Sequence, residues 1–456
     1  MFVGRKEELN ELTSYLNSDK QENIIIYGRR RIGKSELIKE ALRTTNKTAI
    51  FYQATETSQL ENVKALSRII GQRFNLGSIT FESFDAIFNF LFNQKDEYIL
   101  VLDEYPYLSN VSPGLDSVIQ KAIDTYKNTS KLKVVLLGSY IDIMSKLNHS
   151  DQPLFGRITK SMFLGEMNYY ETSLFYPNVD LETKVKYYSV FGGVPYFNSF
   201  IDQNKSFEEN VKNLIISKNS PLSNYIELIL SKELRKIENA NNIFLIIAKG
   251  ISKFNDILSN LTISSSQLSQ VLNNLITMDL IKRTTPINEG SNSRRTHYKI
   301  NDNYIEFFYR YIYRNQTERS LMNTNDFYDE IIKENLHSSF IPMKFEDISE
   351  QYLIISNKDS KIKPPLYKIG KYWYDNPKEK INGEFDLVSL DKNGYIVYEV
   401  KYTNNKVDEK VVNHLIDQLN CCGIKYYNLG FFSKSGFNFE KNNNYYLKTL
   451  EDLYNV

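Results

Sequence analysis

Residues 24–35, Ile24-Ile25-Ile26-Tyr27-Gly28-Arg29-Arg30-Arg31-Ile32-Gly33-Lys34-Ser35, constrain the fold more than any other stretch. A β-branched run long enough for one buried strand breaks into a glycine-bounded loop. Glu36–Leu42 follows with apolar residues at helical spacing. Strand, loop and helix in that order are how a parallel sheet aims backbone N–H groups at an anion. The Gly-x-x-x-x-Gly-Lys-Ser spacing lets Gly28, Arg29, Arg30, Arg31, Ile32 and Gly33 wrap a phosphate by their backbone. It also brings Lys34 to the terminal phosphates of a nucleotide and offers the Ser35 hydroxyl to Mg2+.

A loop of this kind needs acids at a neighbouring strand end. Tyr98–Leu102 is a continuous apolar strand that delivers Asp103 and Glu104 about seventy residues downstream. Asp103 is expected to hold Mg2+ with Ser35, and Glu104 to orient the attacking water. Lys133–Gly138 is a third buried strand, ending in Ser139, which reads either as a sensor of the terminal phosphate or as a plain strand-end serine. Arg157, beside Gly156, is the candidate arginine for the transferred phosphate, supplied by the same chain or by a neighbour. Upstream, Leu9, Leu12 and Leu16 mark an amphipathic first helix. Gly4 and Arg5 before it are nucleotide-side candidates or a structural turn.

At 456 residues the chain exceeds one core and suggests about three domains. Its 56 basic and 55 acidic residues leave no global field for nucleic acid, so any such contact must come from a local patch. The adjacent Cys421 and Cys422 lack metal-ligand spacing. The N-terminus is charged at once and no apolar run is long enough to span a bilayer, so a cytoplasmic location without membrane contact is expected.

From Ile243 three short helical patterns, the third over Ser264–Leu275, lead into Leu280–Arg283 and His297–Ile300. This is the layout of a winged helix-turn-helix, with Ser264–Leu275 as recognition helix and Lys282, Arg283, Arg294 and Arg295 around the tip of the wing. A wing used only for protein contacts is the competing reading. The aromatic run Tyr304–Tyr313 reads as a packed core segment in preference to a base-stacking platform. Further on, Gly383–Leu390, the turn Asp391-Lys392-Asn393-Gly394 and Tyr395–Lys401 predict a β-hairpin. Glu399 and Lys401 lie two apart, share a face and converge near Asp386 across the hairpin. Asp386 and Glu399 could hold Mg2+ or Mn2+, and Lys401 could position a water against a phosphodiester.

Together, Phe2-Val3-Gly4-Arg5, the Gly28–Ser35 loop, Asp103–Leu108, Leu154-Phe155-Gly156-Arg157 and Phe191-Gly192-Gly193-Val194-Pro195-Tyr196 resemble the archaeal-type ATPases of the AAA+/STAND group. The C-terminal hairpin resembles the core of PD-(D/E)xK nucleases, a domain associated with the same family. The resemblance implies an α/β protein: a P-loop AAA+-like parallel-sheet domain, a helical lid, a winged helix-turn-helix and a C-terminal α/β restriction-endonuclease-like domain. The boundaries it suggests are 1–175, 176–235, 236–315 and 316–456. It further implies that Glu346 matches the acid of the nuclease fold's first helix, while Phe385 replaces the usual proline before the aspartate. The leading expectation is an ATP hydrolase that binds DNA and couples nucleotide state to the nuclease-like domain, with ATP, DNA and a further copy of the chain as candidate partners. The alternative is an ATP-driven switch or scaffold whose C-terminal domain recognises protein or nucleic-acid partners without cutting.

Overall fold

A computed structural model describes residues 2–222, 225, 239–290, 295–376, 381–439 and 445–455. The chain forms two compact units, one running up to Glu166 and including Thr277–Asp279, the other Met167–Ile276 with Leu280–Val456.

The first unit is built on five parallel strands in the order β2-β3-β4-β1-β5. They are β1 (Glu22–Tyr27), β2 (Thr48–Gln53), β3 (Tyr98–Asp103), β4 (Lys133–Gly138) and β5 (Lys160–Phe163). Ile24, Ile25 and Ile26 are fully buried because β1 lies inside the sheet between β4 and β5, which explains a run without polar alternation. Helix α1 (Lys6–Asn17) buries Leu12 and Leu16, and helix α2 (Lys34–Arg43) buries Leu37, Ile38 and Ala41. A parallel sheet gathers the residues after β1, β3 and β4 at one edge, so the three predicted signals meet by topology alone.

The second unit begins with helices Tyr169–Ser173, Leu181–Phe191 and Pro195–Asn198, the last following a turn in which Gly192 has φ of 63°. The residue region 223–238 of the expected lid lies almost wholly outside the described residues. Helices Ala240–Ala248, Phe254–Ser259 and Ser265–Thr277 precede the antiparallel pair β6 (Ile281–Thr284) and β7 (His297–Ile300). The third helix opens on a reciprocal cap: the Gln267 N–H donates to the Ser264 hydroxyl, and the Ser264 N–H to Gln267 Oε1. Tyr304, Phe307, Phe308 and Tyr309 are buried, so the aromatic run is core and not an open stacking surface.

A second sheet has the order β12-β11-β10-β9-β8, built from β8 (Lys368–Asn376), β9 (Ile381–Asp391), β10 (Gly394–Lys401), β11 (Tyr426–Ser433) and β12 (Tyr445–Thr449). Strands β8 to β10 pair antiparallel and β10 to β12 parallel. The chain just after β6 lies along β8. Ile287 N–H donates to the Lys371 carbonyl at 2.7 Å, while the Asn288 side chain bonds both N–H and C=O of Trp373.

The basic wing is corrected by this packing. Lys282 is enclosed within electrostatic reach of Asp347 and Glu350 on helix Ile341–Lys358, and Arg295 pairs with Glu289 and Asp375 over the Trp373 ring. Arg294 lies outside the described residues. Arg283 is exposed on β6. Alternation along a two-stranded ribbon forces this: Lys282 and its cross-strand partner Lys299 share one face, and Lys299 is ion-paired to Asp347.

Candidate functional site

Gly28, directly after β1, lies so close to the segment after β5 that a Cβ there would overlap the Leu164 carbonyl oxygen. Only glycine lets the loop start at that point. Arg31 and Gly33 then adopt positive φ, 65° and 96°, and turn the loop into α2. Gly33 at the N-cap of α2 offers no side-chain cap, and the first turn of a helix is where backbone N–H groups meet an anion. Ile32 is buried and anchors the loop from below.

Lys34 is 7% exposed and its ammonium donates to the Gly28 and Arg29 carbonyls, both at 2.8 Å. The Ser35 hydroxyl donates to Asp103 Oδ2 at 2.8 Å, so two hard oxygen donors from separate elements already converge. Burial pushes the Asp103 carboxyl up, opposed chiefly by the Ser35 hydrogen bond. Glu104 takes a left-handed backbone, φ 54°, and accepts from the Ser139 hydroxyl at 2.8 and 3.2 Å. Asp103, Glu104 and Ser139 thus fall beside the loop, where reasoning from strand ends put them. Residues that sequence reading missed complete the edge. Tyr107 and Tyr140 hydroxyls accept from Arg30 at 3.0 and 3.1 Å, and Glu166 pairs with Arg29 at 2.9 Å. No spacing in the chain announces them; each follows a motif residue or strand end by a few positions. Arg5, 4% exposed, donates to the Gly165 carbonyl and pairs with Glu8, and with Gly4 (φ 65°) forms the turn that starts α1.

Arg157 does not join this group within the chain. Its carbonyl accepts from Asn23 at the start of β1, whereas the loop leaves the other end, about 15 Å further along an extended strand. Its guanidinium is bidentate to Asp124 at 2.9 and 3.1 Å. A role in its own chain's loop is therefore overturned. The reason is that the Leu154–Arg157 segment precedes β5, and parallel strands start at the edge opposite to their ligand-binding ends.

The second constellation lies in the second unit. The β9/β10 ladder ends with Tyr398 opposite Leu387, and Glu399 and Asp386 each lie one residue beyond it. Glu399 is ion-paired to Lys401. Glu346, on helix Ile341–Lys358, is close enough for the Asp386 charge to act on it; burial first and that charge second push its carboxyl up to about 8, against Lys371. Lys371 of β8, absent from the sequence reading, bonds Glu384 at 2.7 Å and Asp386 at 2.8 Å. Among the described residues, no three His, Cys, Asp or Glu side chains converge as a metal site.

Residues 2–197 match the family described as an ATPase domain predominantly from Archaea, and residues 308–412 the one described as archaeal and bacterial proteins of unknown function. The Walker-type ATPase PABY2304 of Pyrococcus abyssi superposes with a TM-score of 0.51 at 20% identity, over 68% of this chain and 96% of that one. Fold and loop together define a P-loop ATPase, an enzyme that binds and hydrolyses ATP. The uncharacterized protein MJECL04 of Methanocaldococcus jannaschii is 31% identical over 409 residues, 89% of this chain and 88% of that protein. The chain belongs to the same family of archaeal-type ATPases with a C-terminal DUF234 domain. An uncharacterized ATP-binding protein of that organism, MJ0423, is 57% identical over 42 residues, 9% of this chain and 71% of that protein. Among the described residues, no helix is long and apolar enough to cross a membrane.

Proposed function

We propose that this ATPase uses its nucleotide state to control a DNA-directed C-terminal domain with a metal-dependent, nuclease-like site. The observation that supports the reading is the nearness of Asp386 to Glu346, with Glu399 paired to Lys401 on the strand next to β9, on the same chain as a formed phosphate loop.

At the loop, Lys34 exchanges its two carbonyl partners for phosphate oxygens, Glu104 orients the attacking water and takes its proton, and Ser139 steadies Glu104. Ser35 and Asp103 would hold Mg2+, which neutralises charge on the phosphates. Arg157 is left for a neighbouring copy's site, which gives homo-oligomers a reason to form. Replacing Lys34 with alanine is expected to weaken ATP binding by at least about a hundredfold in titration calorimetry, the loss of a buried charge-assisted contact. Binding within about threefold of the parent would remove Lys34 from that role.

DNA contact rests on the third helix, whose exposed face carries Ser266, Gln267, Gln270, Asn273 and Asn274. Neutral amides of this kind pair with adenine edges, whereas phosphate contacts need cations. With Lys282 and Arg295 engaged elsewhere, base-edge contact is the better supported mode.

One observation favours the second reading, a recognition domain that does not cut: the Lys371 ammonium bridges Asp386 and Glu384, where a divalent cation would otherwise bind. Single- and double-stranded DNA incubated with Mg2+ or Mn2+, with and without ATP, separates the two. Metal-dependent cutting that disappears in Asp386→Ala and Lys401→Ala supports the nuclease. No cutting by the parent, with DNA retained in a binding assay, supports the recognition domain. Turnover of ATP unchanged by DNA would count against coupling in either form.

A further inference from the structure

Three consecutive arginines in the phosphate loop meet three different fates. Arg29 is neutralised by Glu166, each about one-tenth exposed. Arg31 is exposed at the left-handed turn. Arg30 is drawn inward, and its two hydrogen-bond partners are the neutral hydroxyls of Tyr107 and Tyr140. Its guanidinium also lies over the Tyr140 ring, 5.4 Å from the centroid, and the Tyr107 and Tyr140 rings meet edge to face. Among the described residues no carboxylate pairs with it at ion-pair distance, while the charge of Glu104 reaches it. Tyr107 stands three residues after Glu104, and Tyr140 directly follows Ser139. Both tyrosines therefore belong to the strand ends that carry the hydrolytic residues, and they fix Arg30 on that side of the loop.

We propose that Arg30 is a catalytic residue supplied by the loop itself, contacting the terminal phosphate of ATP, and that Tyr107 and Tyr140 are the positioning residues that aim it. The proposal rests on the assignment of Glu104 and Ser139 to the terminal-phosphate side. During hydrolysis the bond from the terminal phosphorus to the β–γ bridging oxygen breaks, the water oxygen bonds to that phosphorus, and the water's proton passes to Glu104. Negative charge spreads over the phosphoryl and bridging oxygens as this happens. A planar guanidinium with an uncompensated charge stabilises those oxygens, the part arginines play in phosphoryl transfer. Arg157 cannot fill that place in its own chain. A hydroxyl cradle suits the task because it orients the guanidinium without cancelling its charge, as a carboxylate would.

The test compares the parent with Arg30→Gln, Arg30→Lys, the double variant Tyr107→Phe with Tyr140→Phe, and Glu104→Gln. Turnover is measured alongside affinities for ADP, ATP and ADP with aluminium fluoride. Arg30→Gln should lower kcat at least about a hundredfold, with ADP affinity within about threefold of the parent and the fluoride complex no longer tighter than ADP. Arg30→Lys, which keeps charge but not the planar fork, should recover only part of kcat. The tyrosine pair should lose about tenfold in kcat with ADP affinity unchanged, since aim and not charge is lost. A kcat for Arg30→Gln within about threefold of the parent overturns the proposal. So does an equal fall in ADP and ATP affinity, which would mark Arg30 as a loop-folding residue. If Glu104→Gln also turns over like the parent, the assignment beneath the proposal fails with it; if Glu104→Gln is inactive and Arg30→Gln is not, only the proposal fails.

Discussion

Glu104→Gln is expected to bind ATP as the parent does and to turn it over at least about a hundredfold more slowly, the usual worth of a positioned general base. The substitution keeps volume and the strained φ of 54°, and a glutamine can still share a hydrogen bond with the Ser139 hydroxyl. What it removes is the negative charge that takes the proton of the attacking water. Alanine would be a poorer probe, because it would also release Ser139. Equilibrium binding of a fluorescent ATP analogue and steady-state phosphate release read the two halves separately. Phosphate release near the parent rate would assign the water to another residue.

The second large effect concerns stability. Lys344 is fully buried and pairs with Glu306 at 2.5 Å, with Asp347 at 3.7 Å. Glu306→Ala removes the nearer partner of that ammonium, and breaking a buried pair from one side costs about 3–5 kcal/mol. The unfolding of the second unit has its own reporter, because the single tryptophan of the chain, Trp373, lies there. The denaturant midpoint followed by tryptophan fluorescence should fall markedly in Glu306→Ala. It should return most of the way in Glu306→Leu combined with Lys344→Met, where both charges of that pair are gone and Asp347 keeps Lys299. A midpoint unchanged in the single variant would mean that water reaches Lys344.

Legibility followed periodicity. The strand, loop and helix around Gly28–Ser35 were readable because β1 is buried on both faces and its sequence shows it. Asp103, Glu104 and Ser139 followed from strand ends, since a parallel sheet leaves no other edge for them. The antiparallel β9/β10 hairpin followed from alternation and its turn residues. Side chains were illegible wherever their partner comes from a distant segment. Lys282 looks like a wing cation until Asp347 and Glu350, more than sixty positions away, enclose it. Arg157 looks like a phosphate ligand until the direction of β5 is known. Lys371 carries no motif, and the loop motif that includes Arg30 does not say where its side chain goes; only the pairing of β8 with β9 and the nearness of Tyr107 and Tyr140 reveal what they touch.

The backbone link from Ile287 to Lys371 and the two bonds of Asn288 to Trp373 mean that the outer rim of β8 is already occupied. A bare rim nine residues long would be a template for another chain's strand. A C-terminal fragment cut after β7 would carry that template uncovered and should clump into intermolecular sheet, visible as a rising low-frequency amide I band in the infrared. One that keeps residues 281–300 should stay dispersed. The hairpin is in this sense a guard against self-association, whatever else it touches.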